Sequence, residues 1–199
     1  MSIINKAGLV IPPPATPNLD WFPAKFRRNQ VLRHLVQKYN WTLGAELGLW
    51  HGKTMGNLLA DCPDLAMIGV DLWEPQPDNE GPEDYVGWDH EQHEAQCRGR
   101  LAQFGSRATI IKSRTHNAAK YVTDGSLDFV FIDADHSFEA VDDDIFCWTP
   151  KLQPNGWLIG HDINWPSVRR AVEASALDYR VGPDSVWMVP MQGWEKLLD

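Results

Sequence analysis

The chain has 199 residues, enough for one domain with a full core, and its 43% hydrophobic and 23% charged content is that of a soluble globular protein. A net charge of −9 and a pI near 5.2 count against a duplex nucleic-acid partner or an anionic membrane, although they leave room for a small local basic patch. Three cysteines without a C-x-x-C pair, no signal-type leader and no apolar run of membrane-spanning length point to reduced thiols in a cytoplasmic protein.

Residues 1–22, with Pro12-Pro13-Pro14 and Pro17, read as an extended arm that could pack on the domain or on a partner subunit, which makes a homodimer possible. Residues 23–199 read as a single domain. From Pro23 to Tyr39 the apolar residues Val31, Leu32, Leu35, Val36 and Tyr39 recur at helical spacing. Arg27, Arg28, Arg33 and Lys38 fall mostly opposite, so the reading is a helix covering one face of a sheet.

The stretch from Thr42 to Asp71 organises the rest. Leu43-Gly44-Ala45-Glu46-Leu47-Gly48 is an apolar run ended by an acid and a glycine, and a helix is predicted from Lys53 to Ala60 after Gly52. Ala66-Met67-Ile68-Gly69-Val70 is a second strand, stopping on Asp71. Strand, glycine turn, helix, strand and acid make half of a nucleotide-type βαβ unit. The helix start offers unpaired N–H groups, and an acid at the next strand tip can accept hydrogen bonds from ribose hydroxyls. A dinucleotide would need G-x-G-x-x-G so that its pyrophosphate rests on bare backbone. Here Trp50 and His51 stand between Gly48 and Gly52, which argues against a nicotinamide-dependent oxidoreductase. An adenosine with an amino-acid tail fits better.

Glu46-Leu47-Gly48-x-x-x-Gly52 followed by Asp71 resembles the cofactor site of class I S-adenosylmethionine-dependent methyltransferases. Beyond Asp71, Leu72 to Pro82 has three prolines and no periodicity, and reads as a long loop at a carboxyl strand edge. Trp73, Tyr85 and Trp88 could pack there on an acceptor ring or sugar. Several of the ten tryptophans are expected in loops beside the site. Asp89 to Phe104 reads as a helix; its His90 and His93, at i and i+3, are better taken as surface or loop-packing residues than as metal ligands.

Ala108–Ile111 is the expected third strand, and a helix is expected to begin near Thr115-His116 and reach Tyr121. Leu127–Ile132 is a buried strand ending on Asp133-Ala134-Asp135-His136. Ser137 to Thr149 reads as a helix with Asp135 near its cap and Asp142-Asp143-Asp144 as a solvated stretch. Pro154-Asn155-Gly156 marks a turn before a fifth strand, Trp157–Gly160, which ends on His161-Asp162. A helix follows from Pro166 to Ala176, then a hairpin joined by Gly182-Pro183-Asp184. The order predicts a Rossmann-like, doubly wound, mainly parallel seven-stranded sheet with a C-terminal antiparallel hairpin. Acids then stand at four strand tips. For Asp133 and Asp162, converging on one crevice, function outweighs helix capping.

Phe131-Ile132-Asp133-Ala134-Asp135-His136-Ser137-Phe138, Pro154-Asn155-Gly156 and Gly160-His161-Asp162 resemble the small metal-dependent O-methyltransferases, the catechol and caffeoyl-CoA type with their antibiotic- and sugar-modifying relatives. The similarity covers roughly residues 40–190. It implies that Glu46, Gly48, Trp50, Gly52 and Thr54 line the methionine end of the cofactor. It implies further that Asp71 binds the ribose, that Trp73, Thr115 and His116 flank the adenine, and that Asp133 lies beside the reactive end. Asp133 and Asp162 would hold a divalent cation such as Mg²⁺, with either His161 or Asn164 completing the set. His136 stands where the family often has a lysine base. A histidine's ordinary pKa of about 6.5 suits proton acceptance near neutral pH. The expected activity is metal-assisted O-methylation of a hydroxyl on a small molecule or sugar, with His136 or a carboxylate such as Asp133 as base. A non-catalytic S-adenosylmethionine-binding module is the competing reading. The Asp-Pro-Pro-aromatic motif of nucleobase amino-methylating enzymes is missing at Asp162-Ile163-Asn164-Trp165.

Overall fold

The structure is a computed structural model, and it describes residues 3–4, 10–11, 22–74 and 89–197. Two-residue strands β1 (Ile3–Ile4) and β2 (Val10–Ile11) pair antiparallel as a separate two-stranded sheet. The chain then runs α1 (Arg28–Tyr39), β3 (Leu43–Leu47), α2 (Lys53–Asp61), β4 (Ala66–Asp71), α3 (His90–Leu101) and β5 (Ala108–Lys112). It continues with α4 (Thr115–Ala118), β6 (Leu127–Ile132), α5 (Phe138–Trp148), β7 (Leu152–Gly160), α6 (Pro166–Ala174), β8 (Arg180–Val181) and β9 (Trp187–Pro190).

The main sheet has seven strands in the order β5-β4-β3-β6-β7-β9-β8. β3 to β7 are parallel, and β9 and β8 return antiparallel, as the hairpin reading requires. Strands run outward from β3 through β4 to β5 on one side, and from β6 through β7 to the β9-β8 hairpin on the other. The order therefore reverses between β3 and β6, where doubly wound sheets open a crevice at their carboxyl edge.

Period-2 alternation along the central strands divides the core into two layers. Phe129 and Phe131 of β6 and Trp157 and Ile159 of β7 pack with Val31, Leu32 and Leu35 of α1 and Met55, Leu58 and Leu59 of α2. Val130, Ile132 and Leu158 face the opposite way, onto Val141, Ile145 and Trp148 of α5 and Val168, Ala171 and Val172 of α6. The tryptophans belong mostly to this core. Trp41, Trp73, Trp148, Trp157, Trp187 and Trp194 are buried, and Trp41 stacks on Phe129 with centroids 5.2 Å apart. Trp50, at 43% exposed, fits the expected loop position; Tyr85, Trp88 and most of their loop lie outside the described residues.

Several boundaries moved for physical reasons. α1 starts at Arg28 rather than Pro23 and stops at Asn40, whose φ of 53° breaks the helix. Pro154-Asn155-Gly156 lies inside β7, as an irregularity where the β6–β7 register jumps from Leu127↔Leu152 to Phe129↔Trp157. The turn signal was a bulge signal. Ser137, not Asp135, caps α5 by accepting from Ala140 N–H, while the Asp135 carboxylate takes the Ser137 N–H at 2.7 Å. The solvated reading of Asp142-Asp143-Asp144 is wrong for Asp144, which is 1% exposed on the inner stripe of α5. Position i+3 from Val141 decides this, since the helix turns that residue toward the sheet.

Candidate active site

Hydrogen bonding of the strand tips assembles the site. Gly48 N–H donates to Val70 C=O, Asp133 N–H to Leu47 C=O and His161 N–H to Ile132 C=O, so β4, β3, β6 and β7 end side by side. A Cβ at Gly48 would overlap the Asp133 main chain, and the residue has φ +90°. Only glycine serves there. Gly52 (φ +66°) is similar: a Cβ would come within 2.8 Å of Cys97 Sγ. Protein packing alone requires these glycines. Trp50, Trp73 and Asp162, with φ of 45°, 46° and 55°, place three further left-handed residues at the same edge. Such conformations cost energy and gather at functional sites.

Asp71 braces the turn. Its carboxylate accepts N–H groups of Leu49 (2.8 Å), Trp50 (2.7 Å) and Trp73 (2.8 Å). Trp73 is buried and donates its indole N–H to the Trp50 carbonyl at 2.9 Å, with Arg98 over its ring. Trp50 in turn stacks on His51 and donates its indole N–H to His93 Nδ1 at 3.2 Å, which gives His93 the loop-packing place expected of it. Glu46 is buried behind the turn with Oε2 unpartnered. Burial, then the Asp133 charge, pushes its carboxyl well above the usual range, against the pull of Arg28 and the Met55 N–H. Thr115 and His116 open α4, half-buried at the tip beyond β5.

Asp133, His136 and Asp162 meet on the β6–β7 side of the crevice. One ligand atom from each lies within 4.8 Å of the others. His136 Nε2 is 2.9 Å from Asp162 Oδ2, and Trp165 stacks on the His136 ring with centroids 4.7 Å apart. His161 Nδ1 reaches the same Asp162 oxygen at 3.0 Å and Asp133 at 3.5 Å. Burial alone would lower the His161 pKa, but hydrogen bonds to Asp133 and Asp162 outweigh it and raise the imidazole to about 9. Burial opposes the ionised Asp162 too, yet His136 and His161 hold its carboxyl well below the usual carboxylate range. Of the two candidates for a third ligand, His161 stands against both carboxylates and Asn164 is exposed. The atom that completes a compact three-donor set is nevertheless on His136, the residue expected as the base.

Sequence reasoning missed two participants. Arg28, assigned to the outer face of α1, turns inward, with Nε 3.4 Å from Asp133 and Nη1 3.4 Å from His161 Nδ1. Asp184, in the hairpin turn, accepts the Arg28 N–H at 2.9 Å and an Arg27 guanidinium N–H at 3.0 Å. Local patterns carry no signal for contacts 156 and 157 residues apart in sequence.

A family model described as "Methyltransferase domain" matches residues 45–163, from inside β3 to just beyond the Asp162 tip. The chain belongs to this methyltransferase family. Its fold is that of a class I S-adenosylmethionine-dependent methyltransferase. Solved structures similar to this methyltransferase include the O-methyltransferase NovP, with 16% identity, 82% of this chain and 78% of that one covered, and a TM-score of 0.63. SAH-bound PaMTH1 from Podospora anserina is 14% identical over 87% of this chain and 81% of its own, with TM-score 0.61. TomG from Streptomyces achromogenes, an O-methyltransferase involved in tomaymycin synthesis and solved with SAM, is 15% identical over 82% and 79%, with TM-score 0.57. At such identities the likeness is one of fold. No curated protein sequence matches the chain.

Proposed function

We propose that this methyltransferase transfers a methyl group from S-adenosylmethionine to a hydroxyl of a small molecule. The observation that carries the reading is the adjacency of the two halves of the site: the Gly48 turn packs directly on Asp133, the first residue of the Asp133–His136–Asp162 cluster. A methyl acceptor at that cluster would face whatever lies over the turn.

The cofactor supplies an electrophilic methyl, so the protein must align an oxygen with it and take the proton. On this reading Glu46, Gly48, Trp50, Gly52 and Thr54 receive the amino-acid end of the cofactor. The unpartnered Oε2 of Glu46 suits a cationic ammonium, whose arrival would favour the ionised carboxylate. Asp71 supports the ribose end chiefly by fixing the turn, since three backbone donors already occupy most of its acceptor capacity. Trp73, Thr115 and His116 border the adenine. Asp162 orients His136: with the Nε2 proton donated to the carboxylate, Nδ1 carries the lone pair that accepts the acceptor's proton.

The donors also fit a hard divalent cation such as Mg²⁺, because two carboxylates and an imidazole present their atoms within 4.8 Å. Asp133, Asp162 and His136 would hold it in place of the His136–Asp162 hydrogen bond; the imidazole lone pair would then be committed to the cation, which would itself lower the pKa of the acceptor hydroxyl. Release of S-adenosylhomocysteine from a panel of hydroxylated compounds, with and without a chelator, tests both statements. Turnover abolished by chelation and restored by Mg²⁺ supports the cation. Undiminished turnover dispenses with the cation and leaves the proton to His136 or a carboxylate, and no turnover with any hydroxyl overturns O-methylation.

A further inference from the structure

The chain carries a net charge of −9, yet the entrance beside the candidate site is lined by cations. A cavity of about 240 Å³ lies between the starts of α1 and α2, bordered by Arg27, Arg28, Lys53, Thr54, Asn57 and Asp184. Three of these are basic, and only Asp184 is acidic. Asp184 is committed: it accepts the Arg28 main-chain N–H and pairs with the Arg27 guanidinium. Lys53 is exposed and has no ion pair among the described residues. The Thr54 hydroxyl belongs to a residue 7% exposed and has no hydrogen-bond partner among the described residues. Neither helix has an acid in its first turn, where an anion would complement the aligned peptide dipoles, and Gly52, which caps α2, has no side chain to accept from the helix's first N–H groups. With Thr54 left to the cofactor, the cations and the Asn57 amide around one small hollow are what an oxyanion selects.

The hollow shares a wall with the reacting cluster. Arg28 borders the cavity and stands 3.4 Å from Asp133, and Asp184 borders it and lies 3.9 Å from His161 Nε2. A molecule with its anionic end among Arg27, Lys53 and Asn57 would thus bring its neighbouring atoms to Asp133, His136 and Asp162. The amino-acid end of the cofactor brings one carboxylate, offset by its own ammonium; with Arg27 paired to Asp184 and Arg28 to Asp133, Lys53 is the lining cation with no ion pair among the described residues.

Resting on the methyl-transfer reading, we propose that the acceptor is an anionic hydroxylated small molecule whose carboxylate or phosphate docks in this cavity. The cations then act as specificity determinants: they admit a charged acceptor to an otherwise anion-repelling protein and fix its hydroxyl beside the carboxylate cluster.

Inorganic phosphate titrated calorimetrically into the full chain saturated with S-adenosylhomocysteine, at ionic strength held constant with chloride, tests this. Saturable phosphate binding is expected in the presence of S-adenosylhomocysteine. It should weaken at least tenfold in Lys53→Ala and in Arg27→Ala and recover in Lys53→Arg. Both alanine variants should bind S-adenosylhomocysteine within twofold of the parent. Phosphate binding that S-adenosylhomocysteine abolishes would assign the cavity to the cofactor's own carboxylate and overturn the proposal. So would the absence of saturable binding, or phosphate affinity indifferent to both substitutions. Failure of S-adenosylhomocysteine itself to bind would instead remove the methyl-transfer reading, and phosphate titration of the cofactor-free chain would still decide whether the hollow takes an oxyanion.

Discussion

The Oδ2 atom of Asp71 accepts the main-chain N–H of Trp50 at 2.7 Å, so the acid that ends β4 holds the turn that follows β3. With the bonds to Leu49 and Trp73, one carboxylate pins two segments of backbone, each containing a tryptophan at positive φ. Hydrogen bonds to a charged acceptor contribute about 1.5–3 kcal/mol each, with strong overlap when one group makes several. Asp71→Ala should therefore cost roughly 2–4 kcal/mol of stability by urea unfolding. An unchanged midpoint would mean that the carboxylate does not brace the turn.

Asp144 predicts a dependence on pH that its solvated neighbours would hide. Burial raises its carboxyl from 3.8 to about 7, countered only in part by the Thr115 hydroxyl. An acid whose pKa is raised in the folded state favours folding most below its unfolded pKa. That advantage is lost as pH climbs from about 4 toward 7. Asp144→Asn should abolish this decline and stabilise the protein at pH 8 by up to about 3–4 kcal/mol. Urea midpoints at pH 5 and pH 8 check it; parallel curves for the two proteins would contradict the burial argument.

His161 acts in a higher window. Its folded pKa of about 9 lies above the ordinary imidazole value. The imidazolium pairing thus stabilises fully below about pH 6.5 and fades as pH rises through about 9. His161→Gln should remove that limb, worth at most about 3 kcal/mol, while leaving the Asp144 window below it intact. A parent protein whose stability is level between pH 7 and 9.5, relative to the variant, would count against the pairing.

For the chemistry, Asp162→Ala should leave S-adenosylhomocysteine affinity within about twofold and lower turnover by 10² or more, roughly the contribution of an oriented base. His136→Gln should lower turnover similarly and flatten the acidic limb of the pH–rate profile. Lost cofactor affinity with full turnover in Asp162→Ala would remove it from the reacting cluster. A non-catalytic S-adenosylmethionine-binding module would show no turnover for either variant to lose.

Much of this was legible in the sequence, because the strands of a parallel sheet are short, apolar and bounded by turn residues. β6, Leu127–Ile132, was read with its observed limits, and Asp133 and Asp162, at the tips of β6 and β7, do converge. What escaped the reading was tertiary. Arg28 appeared to be on the solvent side of α1 because helical spacing does not reveal what a long side chain reaches past its own first turn. Asp144 was hidden by Asp142 and Asp143, since a run of like residues says nothing about which one the helix turns inward. Pro154-Asn155-Gly156 imitates a chain reversal, but a bulged strand uses the same residues.

Calorimetric titration of S-adenosylhomocysteine into the parent chain and into Asp71→Ala tests the central claim most directly. The account predicts saturable 1:1 binding by the parent and at least about tenfold, or 1.4 kcal/mol, weaker binding once the turn is released. A parent that binds no S-adenosylhomocysteine, or an Asp71→Ala protein that binds it with full affinity, would contradict the account.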